Sequence, residues 1–172
     1  EDGAEEPQID KITKISTCKK VWRIISSSTI LDRKRNAGAS TSKGRVACTV
    51  LKKLPFPLRS NYPCIVFKSK REQLIFLPDK LFVIQGGKIG ALNYDDIDFQ
   101  FNFSKFIEDG PVPQDAQVIG KTWAYTNKSG GPDRRFKNNR EIPICQYGEL
   151  TMTSENGLYT VFMFSDSSWM AL

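Results

Sequence analysis

The segment DIDFQFNFSKF sets Ile97, Phe99, Phe101 and Phe103 at every second position, against Asp98, Gln100, Asn102 and Ser104. Side chains alternate between the two faces of an extended chain but repeat every 3.6 residues in a helix. Only a strand with one face on a core and one in water separates these two sets. Such a strand needs partners, and the rest of the chain offers them in short lengths. RVACTVLKKL alternates Val46, Cys48 and Val50 against Ala47, Thr49 and Leu51, until the three prolines of LPFPLRSNYPC end it. CIVFKS and QLIFLPD read as further strands. LFVIQGGKIGALNY reads as a hairpin in which Gly86 and Gly87 supply the positive φ of a tight turn, and ICQYGELTMTS, ENG and LYTVFMFS form a second hairpin.

The flanking segments are less regular. KITKISTCKKVWRII places Ile12, Ile15, Val21, Trp22 and Ile24 at spacings that begin helical and end strand-like, and residues 19–28 are expected as a strand. PVPQDAQVIGKTWAY is expected to hold a short helix from Pro113 and then a strand from Thr122 to Thr126. Seven to nine strands with one or two short helices define a mainly β chain, closed as an antiparallel barrel or a sandwich. At 172 residues the chain has the size of one domain. Residues 1–17 are expected as an acidic and polar tail, residues 18–172 as a single β-rich domain, and DRKRNAGASTSKG as a mobile loop. A hydrophobic content of 40% excludes a disordered chain. The acidic opening EDGAEEPQID lacks the basic and apolar regions of a signal peptide, so a cytoplasmic chain, peripheral at a membrane at most, is expected.

Chemistry is constrained first by what is missing. The sequence has no histidine, which removes the usual general base, the commonest zinc ligand and every Ser-His or Cys-His nucleophile. Cys18, Cys48, Cys64 and Cys145 are 30, 16 and 81 positions apart, unlike the close pairs of zinc and redox sites, and free or buried thiols are favoured over disulfides. No catalytic residue, metal ligand or small-molecule cofactor is assigned. The alternative to a binding role is a metal-dependent phosphodiesterase or nuclease using Asp95, Asp96 and Asp98. Against it, neighbouring residues of a strand point to opposite faces, and Glu141 lacks the Glu-x-Lys spacing of one nuclease class.

Charge is distributed unevenly. Residues 11–71 carry sixteen Lys and Arg and only Asp32, whereas residues 72–120 carry three bases and eight acids. Such a basic span faces an anionic partner or is neutralised by the acidic middle of the fold. Trp22, Phe56, Tyr62 and Phe67 are available to stack on nucleic-acid bases.

The loop NKSGGPDRRFKNNREIP concentrates the candidate binding residues. Gly130 and Gly131 let backbone N–H groups approach a ligand, and Arg134, Arg135, Lys137 and Arg140, with Asn139, suit a phosphate or carboxylate. In the opposing structural role, Asp133 pairs with a nearby arginine and caps the turn, Phe136 enters the core, and Asn138 and Asn139 form a turn.

LIFLPDKLFVIQGGKIGALNYDDI, VPQDAQVIGKTWAYTNKSGGPDRRFKNNREIPICQYGEL and SENGLYTVFMFS together resemble a module of uncharacterised bacterial proteins, with GGPDRRFKNNR its most specific word. The order of elements around the Pro-Asp turn and NYDDI is also similar to bacterial pleckstrin-homology-like domains. That resemblance implies a bent antiparallel barrel capped by a helix, in proteins that bind other proteins, lipids or peptides. Here no amphipathic helix is legible at the C-terminus. The function expected is a non-enzymatic binding module for an anionic partner: a membrane surface, a nucleic acid or an acidic protein segment.

Overall fold

The computed structural model describes residues 6–25, 44–54, 59 and 61–171. A helix, α1 (Gln8–Ser16), precedes ten antiparallel strands: β1 (Val21–Ile24), β2 (Arg45–Leu51), β3 (Ile65–Lys68), β4 (Glu72–Phe76), β5 (Lys80–Gln85), β6 (Lys88–Asn93), β7 (Ile97–Ile107), β8 (Gln117–Trp123), β9 (Glu141–Ser154) and β10 (Tyr159–Phe164). They form one sheet in the order β6-β5-β4-β3-β2-β1-β10-β9-β7. β9 is the long central element. One edge pairs with β7 over 144–154, and the other is divided between β10, opposite 148–153, and β8, opposite 141–146.

The sheet is curled into a half-barrel. Leu81 of β5 and Ile97 of β7 belong to one buried cluster, although a flat sheet would set these strands roughly 30 Å apart. Val21, Phe67, Phe76, Leu150, Met152, Phe162 and Phe164 complete that concave core with Ile12 and Ile15 of α1. The expectation for β7 holds for Ile97, Phe99 and Phe101, which face this core, while Phe103 keeps 48% of its surface exposed. Gly86 and Gly87 take positive φ in the β5–β6 turn as expected.

Several local expectations are corrected. Residues 8–16 are not tail. Ile9, Ile12 and Ile15 recur every three residues, and burying Ile12 and Ile15 inside the curl orders the helix despite its polar surroundings. Pro113 begins a turn closed by the Ala116 N–H and not a helix. The following strand starts at Gln117 and ends at Trp123, earlier than Thr122–Thr126, because its pairing with β9 sets its limits. The strand expected over 19–28 spans Val21–Ile24, with 26–28 outside the described residues. The DRKRNAGASTSK loop and Phe56 lie outside them too.

All four cysteines are free thiols. Burial, reinforced by the Asp115 and Asp166 carboxylates, pushes Cys18 up to about 12, and burial with Glu72 nearby does the same for Cys48. These thiols should react slowly with a disulfide reagent at mildly alkaline pH and become reactive on unfolding. Their ordinary value is 9.0, so the folded chain holds these protons more tightly than the unfolded one. That contribution to stability is complete below pH 9 and is lost as pH rises toward 12. Urea melts across this range should show it, and a flat profile would contradict it.

Candidate functional site

β8 and β9 pair as far as Trp123 and Glu141, and residues 124–140 continue past the sheet as one projecting loop. Three polar side chains fix its backbone. The Asn127 carboxamide oxygen accepts the Ser129 and Gly131 N–H groups at 3.1 and 2.9 Å and the Ser129 hydroxyl at 2.8 Å. The Asn139 oxygen accepts the Tyr125 N–H at 2.9 Å, and its NH₂ donates to the Tyr125 carbonyl at 2.7 Å. Asp133 accepts the Arg135 N–H at 3.0 Å. Its own N–H donates to the Tyr125 carbonyl, and the Ala124 N–H donates to the Arg140 carbonyl. Thr126 and Pro132 bridge the two arms, and Gly130 takes a positive φ of 89° where the chain reverses between them.

The expected site residues separate into two groups. Arg135 folds back onto Asp133 through Nε and Nη2, and its guanidinium holds that carboxyl below the usual carboxylate range. Asn139 is occupied by Tyr125. The Gly130 and Gly131 N–H groups donate to Asn127 and are turned inward, contrary to the open anion cradle expected of them. These four hold the loop's shape. Arg134, Lys137 and Arg140 are exposed and form no ion pair among the described residues. Arg134 lines a surface concavity of about 780 Å³ with Thr126, Asn127, Lys128, Pro132, Asp133 and Arg135.

Phe136 does not enter the core. Its ring lies parallel to that of Tyr125, with centroids 3.9 Å apart and planes 8° from one another, and the two residues remain 42% and 49% exposed. Tyr125 was missed by sequence reasoning because its role depends on the far arm of the hairpin. The turn expected at Asn138 and Asn139 falls at Lys137 and Asn138, which leaves Asn139 facing Tyr125. Lys128, the other missed residue, adds a cation at the tip.

The other candidates fare differently. Trp22 and Phe67 are core residues, Tyr62 stays exposed, and burial withdraws the first two from any stacking role. Asp95 and Asp96 sit in a 3-10 turn between β6 and β7. They share a shallow groove of about 470 Å³ with Asp98 and Glu155, but no three acidic or cysteine side chains among the described residues converge as a metal site requires.

A buried polar cluster lies on the convex face. Arg45 grips Glu108 with two hydrogen bonds of 2.9 and 2.8 Å, and its guanidinium lies 4.3 and 4.4 Å from the Trp22 and Phe106 ring centres. The Tyr147 hydroxyl donates to Glu108 at 2.7 Å and the Gly110 N–H at 3.2 Å. Burial first, then the Glu108 carboxylate, pushes the Tyr147 phenol up. Every oxygen of Glu108 is engaged, so this cluster ties the segment after β7 to the sheet and offers nothing to a ligand. Compared with known proteins, the chain matches no family model, no curated protein and no solved structure, which leaves the projecting basic loop to be read from its own chemistry.

Proposed function

We propose that this chain is a binding domain without a reaction of its own, and that the β8–β9 loop is its contact surface for an anionic partner. The observation that carries the reading is a loop fixed by its own hydrogen bonds that nevertheless leaves Arg134, Lys137 and Arg140 exposed and unpaired among the described residues. A preorganised backbone lowers the entropy cost of binding, and unpaired arginines offer a phosphate or carboxylate two parallel hydrogen bonds. The wider charge distribution supports it. Lys14, Arg23 and Arg45 of the basic span are neutralised by Glu6, Glu72 and Glu108, whereas Lys52, Lys53, Arg59, Lys68, Lys70 and Arg71 form no ion pair among the described residues.

A membrane surface, a nucleic acid and an acidic protein segment all meet this chemistry. The pleckstrin-like resemblance belongs to the same reading, with the helix that covers the sheet at the N-terminal side. The reading places the protein in the cytoplasm or peripherally at a membrane. No helix among the described residues is long and apolar enough to cross one.

The test is binding to phosphatidylserine vesicles, a single-stranded oligonucleotide and a polyglutamate peptide at low and physiological salt. Binding to at least one should weaken steeply with salt. The combined Arg134→Ala, Lys137→Ala and Arg140→Ala variant should lower the logarithmic salt slope by about two to three, one counterion per lost phosphate contact. Wild-type protein that binds none of the three at low salt, or a variant with an unchanged slope, overturns the proposal.

A further inference from the structure

We infer that the partner of the β8–β9 loop is single-stranded nucleic acid, with a base stacked on the Tyr125–Phe136 pair and flanking phosphates held by Arg134, Lys137 and Arg140. This rests on the anion-binding reading above and adds what cations alone leave undecided. The two rings cover each other on one face, so the exposure they retain belongs to their outer faces and edges. Neither ring belongs to a buried cluster among the described residues. Their position is set by backbone contacts, Tyr125 held between Asn139 and the Asp133 N–H, and Phe136 by its own N–H to the Asp133 carbonyl.

The cations are placed to accompany a base on this platform. Arg134 lies two residues before Phe136 and Lys137 directly after it, and Arg140 lies opposite Ala124, next to Tyr125. Alternating aromatic faces and basic side chains suit a strand whose bases are free to stack and whose phosphates run alongside. A bilayer would favour apolar residues at the tip, yet the tip is Asn127-Lys128-Ser129-Gly130-Gly131. An acidic peptide would use the arginines and leave the rings idle, and a duplex keeps its bases stacked on one another.

The test compares fluorescence-labelled oligothymidine with an abasic oligonucleotide of equal phosphate number, a duplex and phosphatidylserine vesicles. Stacking should make the unaltered protein prefer oligothymidine over the abasic strand roughly tenfold. Phe136→Leu, which keeps apolar bulk without a planar face, should remove that preference, and Tyr125→Phe should retain it. Melting temperatures of both variants should match the wild type, since backbone hydrogen bonds hold the loop. Equal affinity for the two strands, tighter binding to duplex or vesicles, or a preference that survives Phe136→Leu overturns the inference. If salt-dependent binding persists in those cases, the anionic reading stands alone. If no polyanion binds, both fall.

Discussion

Replacing Glu108 with alanine should destabilise the fold by about 3–5 kcal/mol, because it strands a buried charged group without its counter-charge. Glu108 is 1% exposed and accepts hydrogen bonds from the Arg45 guanidinium, the Tyr147 hydroxyl and the Gly110 N–H. Without it, Arg45 stays sandwiched between Trp22 and Phe106, where water reaches it poorly. Arg45→Ala should cost a similar amount, since the carboxylate is then the unpaired partner. Tyr147→Phe removes one donor while Arg45 remains, so it should cost only about 1 kcal/mol more than a neutral change. The combined Arg45→Met and Glu108→Leu variant should be less damaged than either single truncation, as a filled apolar pocket is cheaper than half an ion pair. Urea unfolding of the four variants measures this. If Glu108→Ala shifts stability by under about 1 kcal/mol, in the range of an exposed pair, the cluster is solvated and its assigned role is wrong.

That cluster also marks the limit of what the residues alone reveal. Alternation in β7 and the Gly86–Gly87 turn was legible because both are local: period two and positive φ act within a few residues. Arg45 and Glu108 are 63 positions apart and meet only because the sheet order brings β1 and β2 beside β10 and β9. No spacing announces such a pair. α1 was legible in part, since Ile9, Ile12 and Ile15 keep a three-residue rhythm, but the polar residues around them, acidic up to Asp10 and basic after it, outweighed it. In the loop, the Asp133–Arg135 fork is two residues long and was readable, whereas Asn139 binding Tyr125 depends on the register of β8 on β9. Phe136 was misplaced for the same reason: its partner is on the opposite arm, and a lone apolar residue among charges looks like an anchor until that arm is known.

Gly148→Ala should be nearly as damaging as loss of Glu108, for a steric reason. A Cβ at position 148 would lie 2.1 Å from Cε2 and 2.3 Å from Cζ of Phe164, its cross-strand partner, far inside van der Waals contact. The Phe164 ring occupies the space that the missing side chain leaves, and it cannot step aside freely. It is fully buried and stacks on Trp169 at 5.6 Å, while Trp169 meets Phe101 edge-on and the Lys14 ammonium of α1 lies over its ring. One methyl group therefore pushes on a pile that runs from β9 through the 3-10 turn Ser168–Ala171 to the helix. Overpacking of a rigid core costs about 1–3 kcal/mol and sometimes more, and a contact this short with a buried ring belongs at the upper end. Because the pile ends on α1, the variant should also raise amide hydrogen exchange at Ile12 and Ile15 before the sheet opens. Phe164→Leu restores room above the strand at its own cavity cost, so adding Gly148→Ala to it should cost less than adding Gly148→Ala to the wild type. Strictly additive effects of the two changes would mean that Phe164 does not lie on Gly148, and the packing that seats the helix in the half-barrel would have to be redrawn.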